Sequence, residues 1–352
     1  MNISKTRMSA VASPRLFPTL KDLAINHIAT YSVATAKVEE TLKEGEKKLP
    51  CELKEELEQA LVNPIMLAVV QGDLNQTEAL IKARSPLLLS VKGRAVDYSR
   101  RTIKDLTPFQ AALCAWDDEM CAVLKQYMRD EEIIRQYKEI FPEGHEKIDE
   151  AQTSFEFSTL VNAITQSNDV DVQAQLKLKQ NDSPLCQTFN QFRDDFTLRS
   201  QQETVFNPKH LLEAFEICNE NVEHWDWNRR DLFWRQVIGY VQRFLPANLA
   251  QDVAQGLHYR VEEKEKSRRS FNFRCGDDAI FPLSFDSFSG LGFDYASLGM
   301  PVWLGGGSDH GRFLNTLCRA KTSNLQNLCS HTRKRKRLDA GSYTCKRKRL
   351  GA

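Results

Sequence analysis

The sequence lacks the patterns that mark disulfide frameworks and metal sites. Its nine cysteines are an odd number, and no two of them form a Cys-x-x-Cys pair. This argues against a disulfide scaffold and favours a reducing compartment, where Cys114 and Cys121 act as small apolar side chains on helices. The seven histidines show no metal-ligand spacing and no His-Glu-x-x-His motif. The sequence therefore predicts neither a metal nor a cofactor.

Long apolar runs are also missing. A membrane-spanning helix needs roughly 20 apolar residues, but Pro64 interrupts the most apolar stretch, and Pro14 and Pro18 break the N-terminal segment. No segment has the form of a secretory signal, so we expect a soluble protein with no membrane span. Two glycine-rich stretches, 290–293 and 305–307, lack the strand–loop–helix frame of a phosphate loop and are interpreted as turns.

The sequence does contain a helical hairpin that begins at Asn63. Pro64 presets φ for a first helical turn, Gly72 ends the helix, and Leu74 begins a second short helix. The apolar positions recur at helical spacing, as expected for two helices packed side by side. They are Ile65, Leu67, Ala68 and Val69 in the first helix and Ala79, Leu80 and Ile81 in the second.

The same pattern occurs twice more in a degenerate form. The second copy begins at Thr107-Pro108 and carries Trp116 where the first copy has Gly72. The third begins at Ser158 and has Ser167-Asn168 at the Gly-Asp position. The three starts lie 44 and 51 residues apart, so each link carries additional residues, over 85–106 and 129–157.

This pattern closely resembles the ankyrin repeat, whose core reads Thr-Pro-Leu-His-x-Ala, then Gly, then a Leu-Leu pair, with a period of about 33 residues. The resemblance implies a mainly α fold, a degenerate ankyrin-like helical-hairpin stack with an irregular helical C-terminal module. A generic helical bundle with similarly placed Pro and Ala is the alternative. The predicted segments are a disordered N-terminus (1–18), a helical N-terminal cap (19–62), ankyrin-like repeats with inserts (63–182), a helical module with a Phe-rich extended segment (183–315) and a flexible basic tail (316–352).

The first insert, 85–106, alternates polar and apolar residues in two runs that predict a short β-hairpin or finger. Ankyrin proteins project their binding loops at this place, as the resemblance implies. Arg94, Arg100 and Arg101 are therefore candidates for gripping an acidic partner, together with Tyr98. A solvated loop without a partner is the alternative for each of them.

The N-terminal cap has a second resemblance. Leu20, Ala24 and Ile28 form one helical stripe that is similar to the elongin-binding box of SOCS-type adaptors, and Leu49-Pro50 resembles the Leu-Pro element that follows it. This resemblance implies an adaptor that recruits a host elongin/cullin ubiquitin ligase. Ala24 replaces the usual Cys, and eukaryotic ankyrin adaptors carry the box at the other end.

The C-terminal module offers few groups for catalysis. Cys275 with Asp277, Asp278 and His258, or the pair Asp309-His310, are the arrangements that could serve as a thiol or hydrolytic site. A Cys and a His lie near one another in many chains, so we expect a noncatalytic binding protein. An uncharacterised enzyme in this module remains an alternative.

The tail carries most of the charge asymmetry. Residues 331–352 have a net charge of +8, whereas the rest of the chain has −7. Two compact clusters look like nuclear-import signals and predict a nuclear-import receptor as partner, rather than nucleic acid or anionic lipid bound by charge alone. The clusters are Arg333, Lys334, Arg335, Lys336 and Arg337, and Lys346, Arg347, Lys348 and Arg349.

Taken together, the degenerate repeats, the N-terminal Leu-Pro helix pair and the irregular C-terminal module resemble ankyrin-repeat effectors that intracellular bacterial pathogens secrete into host cells. The resemblance implies a noncatalytic scaffold that binds a host protein through its repeats. The basic tail would direct it to the host nucleus.

Overall fold

The computed structural model describes residues 51–177, 179, 181–269, 274–275, 278–279 and 310–328. The fold is mainly α-helical, with a small two-stranded sheet in its first half. The predicted disordered N-terminus (1–18), the stripe of Leu20, Ala24 and Ile28, most of the Phe-rich segment and both basic clusters lie outside the described residues. Within the described ranges, no helix has the length and apolar composition needed to cross a bilayer.

The first hairpin consists of α1 (Cys51–Val70) and α2 (Leu74–Ala83). The helix does not begin at Pro64, as the sequence predicted, but runs through it. Proline inside a helix costs a backbone hydrogen bond, yet apolar side chains on both sides of Pro64 share one buried face. They are Leu57, Leu61, Val62, Ile65, Met66 and Val69. Packing of this continuous face outweighs the local cost of the proline.

The turn after α1 reverses the chain through a left-handed residue. Gly72 has φ +74°. Its N–H donates to the carbonyl of Val69, and the N–H of Asp73 donates to the carbonyl of Ala68, both at 2.9 Å. This is the Schellman arrangement that closes a helix end. The Asp73 side chain then caps α2 by accepting from the Gln76 N–H at 2.9 Å.

The second hairpin, α3 (Pro108–Cys114) and α4 (Asp118–Lys125), repeats this turn. Trp116 takes the position of Gly72 at φ +53°. The N–H of Trp116 donates to Leu113 at 3.1 Å, and that of Asp117 donates to Ala112 at 3.0 Å. Asp117 also caps α4. The third hairpin, α7 (Ser158–Gln166) and α8 (Asp169–Leu176), has an extended Ser167 instead and an Asn168 cap.

The two links between the hairpins differ from each other. The first holds a 3₁₀ turn (Pro86–Ser90) and the strands β1 (Gly93–Val96) and β2 (Thr102–Leu106), which confirms the predicted β-hairpin. The second holds α5 (Asp130–Ile140) and α6 (His145–Ala151).

The later elements share a continuous apolar core with the hairpins. They are α9 (Pro184–Gln202), α10 (Lys209–Glu220), α11 (Trp227–Phe233), a π-helical segment (Trp234–Ile238), α12 (Gly239–Gln242), α13 (Ala247–Gln255), α14 (Leu257–Val261) and α15 (310–328). Two further short strands, β3 (Arg274–Cys275) and β4 (Asp278–Ala279), pair with each other. Residues 316–328, predicted as part of the flexible tail, are helical. Pro246 occupies the N-cap of α13.

Candidate partner-binding surface

The β-hairpin of the first link packs one face on α1 and leaves the other exposed. Its strands are antiparallel, with Arg94 opposite Lys104 and Val96 opposite Thr102. A register shift next to this pair makes Asp105 the additional residue of a β-bulge, and its φ of +60° is left-handed. The bulge therefore sets which side chains of β2 face the solvent.

The packed face is held close to α1 because Gly93 has no side chain. A Cβ atom at this position would lie 2.4 Å from Cγ of Met66, much closer than a non-bonded contact permits. Ala95 is buried beside it, and the Arg94 N–H donates to Oδ1 of Asn63 at 2.8 Å. The hairpin is thus fixed to the first helix.

The exposed face consists of Arg94, Val96, Thr102 and Lys104, and we call it the finger face. Arg94 and Lys104 are like charges directly opposite each other, an arrangement that destabilises a sheet. Within the described residues, no carboxylate forms an ion pair with either side chain. Val96, two residues along β1 from Arg94, exposes 47% of its surface. Lys92, just before β1, adds a further exposed cation.

The structure separates the four finger residues predicted from the sequence. Arg94 lies on the finger face, and Arg100 is exposed in the turn with φ +62°. Arg101 instead clamps the turn: its Nε lies 3.1 Å from Oδ2 of Asp97, and its side chain is 11% exposed. Tyr98 is half-buried, and burial, with a smaller effect from the charge of Asp73, raises its pKa. Arg94 and Arg100 are therefore the better placed of the predicted contacts.

Sequence reasoning missed Lys104, Val96 and Thr102. The period-two alternation along both strands could have identified them, because it places every second side chain on the same face as Arg94. Positive charge also extends beyond the hairpin turn. Burial lowers the pKa of Arg243, which directly follows α12, whereas Tyr240 raises this pKa and the charge of Arg100 lowers it. Arg100 and Arg243 are therefore close enough to repel each other.

Three cysteine thiols of the described residues are poor nucleophiles. Burial raises the pKa of the Cys114, Cys218 and Cys318 thiols to about 12, so they remain protonated at neutral pH. Nε2 of His258 lies 3.6 Å from a carboxylate oxygen of Glu263. Within the described ranges, no group of three His, Cys, Asp or Glu residues is placed to hold a metal ion. The side chains of Cys275 and Asp277 lie outside the described residues.

Comparison with known proteins shows a distant relationship. The chain is 24% identical over 287 residues to an uncharacterized protein of Coxiella burnetii (strain RSA 493 / Nine Mile phase I), and the alignment covers 79% of this chain and 73% of the relative. No protein-family model matches the sequence. No solved structure matches it.

Proposed function

We propose that the protein is a noncatalytic scaffold of the effector type that binds a host protein through an ankyrin-like stack of helical hairpins. The finger face would contact an acidic region of that partner. The observation that carries this proposal is the cross-strand pair Arg94 and Lys104, because two opposed cations weaken the hairpin that holds them. A negatively charged partner would relieve this repulsion, and the two cations would in turn fix the orientation in which the partner binds.

Two further observations support the proposal. The first two hairpins share the same Schellman turn and the same Asp cap, which is the behaviour expected of related structural units. The distant relative comes from Coxiella burnetii, an intracellular pathogen. A protein delivered into a host cell by such a bacterium would have a use for nuclear-import signals, which a bacterium itself does not need.

The test is an affinity capture from host-cell lysate, comparing the full chain with an Arg94→Glu and Lys104→Glu double variant. A double variant with Lys138→Glu and Lys147→Glu is the matched control, since both lysines are exposed and lie on α5 and α6. We expect the finger reversal to reduce recovery of the partner by at least about tenfold, and the control to retain it. Equal recovery by the finger variant would refute the finger contact.

The nuclear part of the proposal depends on the basic tail. Removal of 331–352 is expected to leave the protein in the host cytoplasm, as judged by fluorescence microscopy. Replacement of Arg333, Lys334 and Arg335 by Ala tests one cluster alone. Unchanged nuclear accumulation after the full deletion would contradict an import role. The adaptor alternative stays a prediction, and loss of elongin capture in Leu20→Asp would support it.

A further inference from the structure

The outer edge of the β-hairpin, along β2, has backbone groups that point away from its partner strand. In an antiparallel pair, the N–H and C=O groups of alternate residues point towards the neighbouring strand and away from it. The N–H of Asp97 donates to the carbonyl of Arg101 at 3.0 Å, and this bond sets the alternation along the hairpin. In the observed register, Thr102 and Lys104 therefore direct their N–H and C=O groups away from β1.

These outward groups on β2 are unpaired. Thr102 and Lys104 are both exposed, and no part of the described chain forms a hydrogen bond to their outward main-chain groups. The opposite edge of the hairpin, along β1, is covered instead. There the Arg94 N–H donates to Oδ1 of Asn63 at 2.8 Å, and α1 packs against the strand. The edge of β2 is therefore the one at which a further strand can be added.

The open edge is short, because the chain departs from regular pairing at both of its ends. Asp105 is the additional residue of the β-bulge, and its φ of +60° interrupts the pairing after Lys104. At the other end, Arg101 turns inward to Asp97. A short strand, a bulge and a lysine are features that prevent unspecific edge-to-edge association. Only a strand with suitable side chains is expected to pair here.

The charges of the finger face determine which side chains are suitable. A residue of the added strand that pairs with Lys104 lies on the same face of the sheet, in one row with Lys104 and Arg94. Like charges opposite each other destabilise a sheet, whereas opposite charges stabilise it. A second copy of this chain would bring its own cations to the edge. An acidic residue would instead lie beside two cations.

We propose that the partner contributes an extended acidic segment that pairs antiparallel with the open edge of β2 and forms a third strand. The backbone groups of Thr102 and Lys104 supply the main-chain hydrogen bonds, and an acidic side chain opposite Lys104 supplies selectivity. This inference rests on the proposed function, because it uses the finger face. It adds the conformation of the partner segment and a backbone contact that charge attraction alone does not require.

The probe is the peptide acetyl-Thr-Glu-Val-Glu-Val-Glu-Thr-amide, titrated into the full chain and followed through the amide resonances of Thr102 and Lys104. In an antiparallel pair, a glutamate opposite Lys104 directs its own N–H towards β2, and the neighbouring valines direct theirs away. N-methylation of the three glutamates therefore removes the pairing donors. N-methylation of both valines and the last threonine gives a matched peptide with the same charge and the same number of methyl groups.

A substitution in the protein tests the same pairing. Thr102→Pro removes one outward N–H, and proline is tolerated on an edge strand where this group faces the solvent. Thr102→Val is the matched control, because it keeps the N–H and favours a strand. Thermal unfolding of both variants checks that the hairpin still folds.

We expect the probe to bind with a dissociation constant on the order of 1 mM and, at saturation, to slow amide hydrogen exchange of Thr102 and Lys104 by about tenfold. Thr102→Pro and N-methylation of the glutamates should each weaken binding by about tenfold, since hydrogen bonds are lost. Thr102→Val and the other methylated peptide should bind as the unmodified pair does.

Three results would overturn the proposal. The first is the absence of any binding by the probe. The second is equal binding of both methylated peptides with unchanged amide exchange; if the Arg94→Glu and Lys104→Glu double variant still abolished that binding, the charge contact of the proposed function would survive without the added strand. The third is a dimer of the full chain that Thr102→Pro dissociates, because a second copy would then occupy the edge.

Discussion

Replacement of Arg269 by Met should strongly destabilise the protein, because this guanidinium links the turns of the first two hairpins. Its Nη1 donates to the carbonyl of Gly72 at 3.0 Å and to Oδ2 of Asp117 at 2.9 Å. Its Nη2 pairs with Oδ1 of Asp117, and its Nε lies 2.8 Å from Glu119. Burial opposes the charge, but the carboxylates of Asp117 and Glu119 outweigh it and raise the pKa of Arg269.

The expected magnitude follows from burial of both partners. The side chains of Arg269 and Asp117 are 7% and 3% exposed. Removing one member of a buried ion pair leaves the other charge uncompensated and costs about 3–5 kcal/mol. Arg268 is a matched control, since its side chain is 60% exposed and pairs with Glu265 near the surface. Arg268→Met should cost less than about 1 kcal/mol.

The assay is urea unfolding followed by tryptophan fluorescence, with the free energy of unfolding extrapolated to water. Asp117→Asn isolates the charge, because Asn preserves the N-cap of α4. In a double-mutant cycle, Arg269→Met and Asp117→Asn should show a coupling of about 2 kcal/mol, since the double variant no longer has the buried, unpaired carboxylate of Asp117. If Arg269→Met lowers the free energy of unfolding no more than Arg268→Met does, or if the two single effects simply add, the buried ion pair does not stabilise the fold as described.

Two further predictions concern a turn and a pH dependence. Gly72→Ala should lower the free energy of unfolding by about 1 kcal/mol, because φ is +74° at this position. Gly311→Ala in α15 should be nearly neutral, since the added Cβ would lie 3.7 Å from Phe215. Equal effects of the two changes in thermal unfolding would contradict this. Hydrogen bonding to Arg135 lowers the pKa of Glu132 from 4.5 to about 2. Above pH 4.5, Glu132→Gln should therefore lower the free energy of unfolding by about 1 kcal/mol, after allowance for exposure. This loss should shrink as the pH falls towards 2, because the carboxylate becomes protonated. A loss that urea titrations show to be independent of pH would refute the prediction.

The turns of the hairpins could be predicted because they depend on local chemistry. Gly72 with Asp73, and Trp116 with Asp117, occupy matching positions in the sequence and in the structure. What the local pattern could not explain is why a tryptophan tolerates a left-handed conformation. The answer is non-local: the Trp116 indole packs edge-on against Phe206, which lies far along the chain.

The interpretation of Pro64 failed because a local rule competed with tertiary packing. Proline is favoured in a first helical turn, but the apolar stripe of α1 extends on both sides of it and is buried against the β-hairpin and α3. The prediction of a flexible tail was wrong for 316–328 for a similar reason, while 329–352 lies outside the described residues. Leu317 and Leu325 of α15 are buried, and Lys321 forms ion pairs with Asp118 and Asp252.

The sequence predicted that the finger is a β-hairpin, but it could not predict which of its arginines face the solvent. Alternation places residues on two faces, and the bulge at Asp105 decides which residues of β2 face the solvent. Arg101 is drawn inward by Asp97, a contact that closes the turn.

Charge serves opposite purposes at Arg269 and at the finger face. Arg269 is buried with its carboxylates, so its ion pairs belong to the stability of the folded chain. Arg94 and Lys104 are exposed and repel each other, so reversing one of them should leave stability unchanged or raise it slightly by forming a cross-strand ion pair. A single Lys104→Glu variant that folds normally but loses its partner would therefore separate binding from folding. The same loss accompanied by unfolding would instead make the finger a structural element.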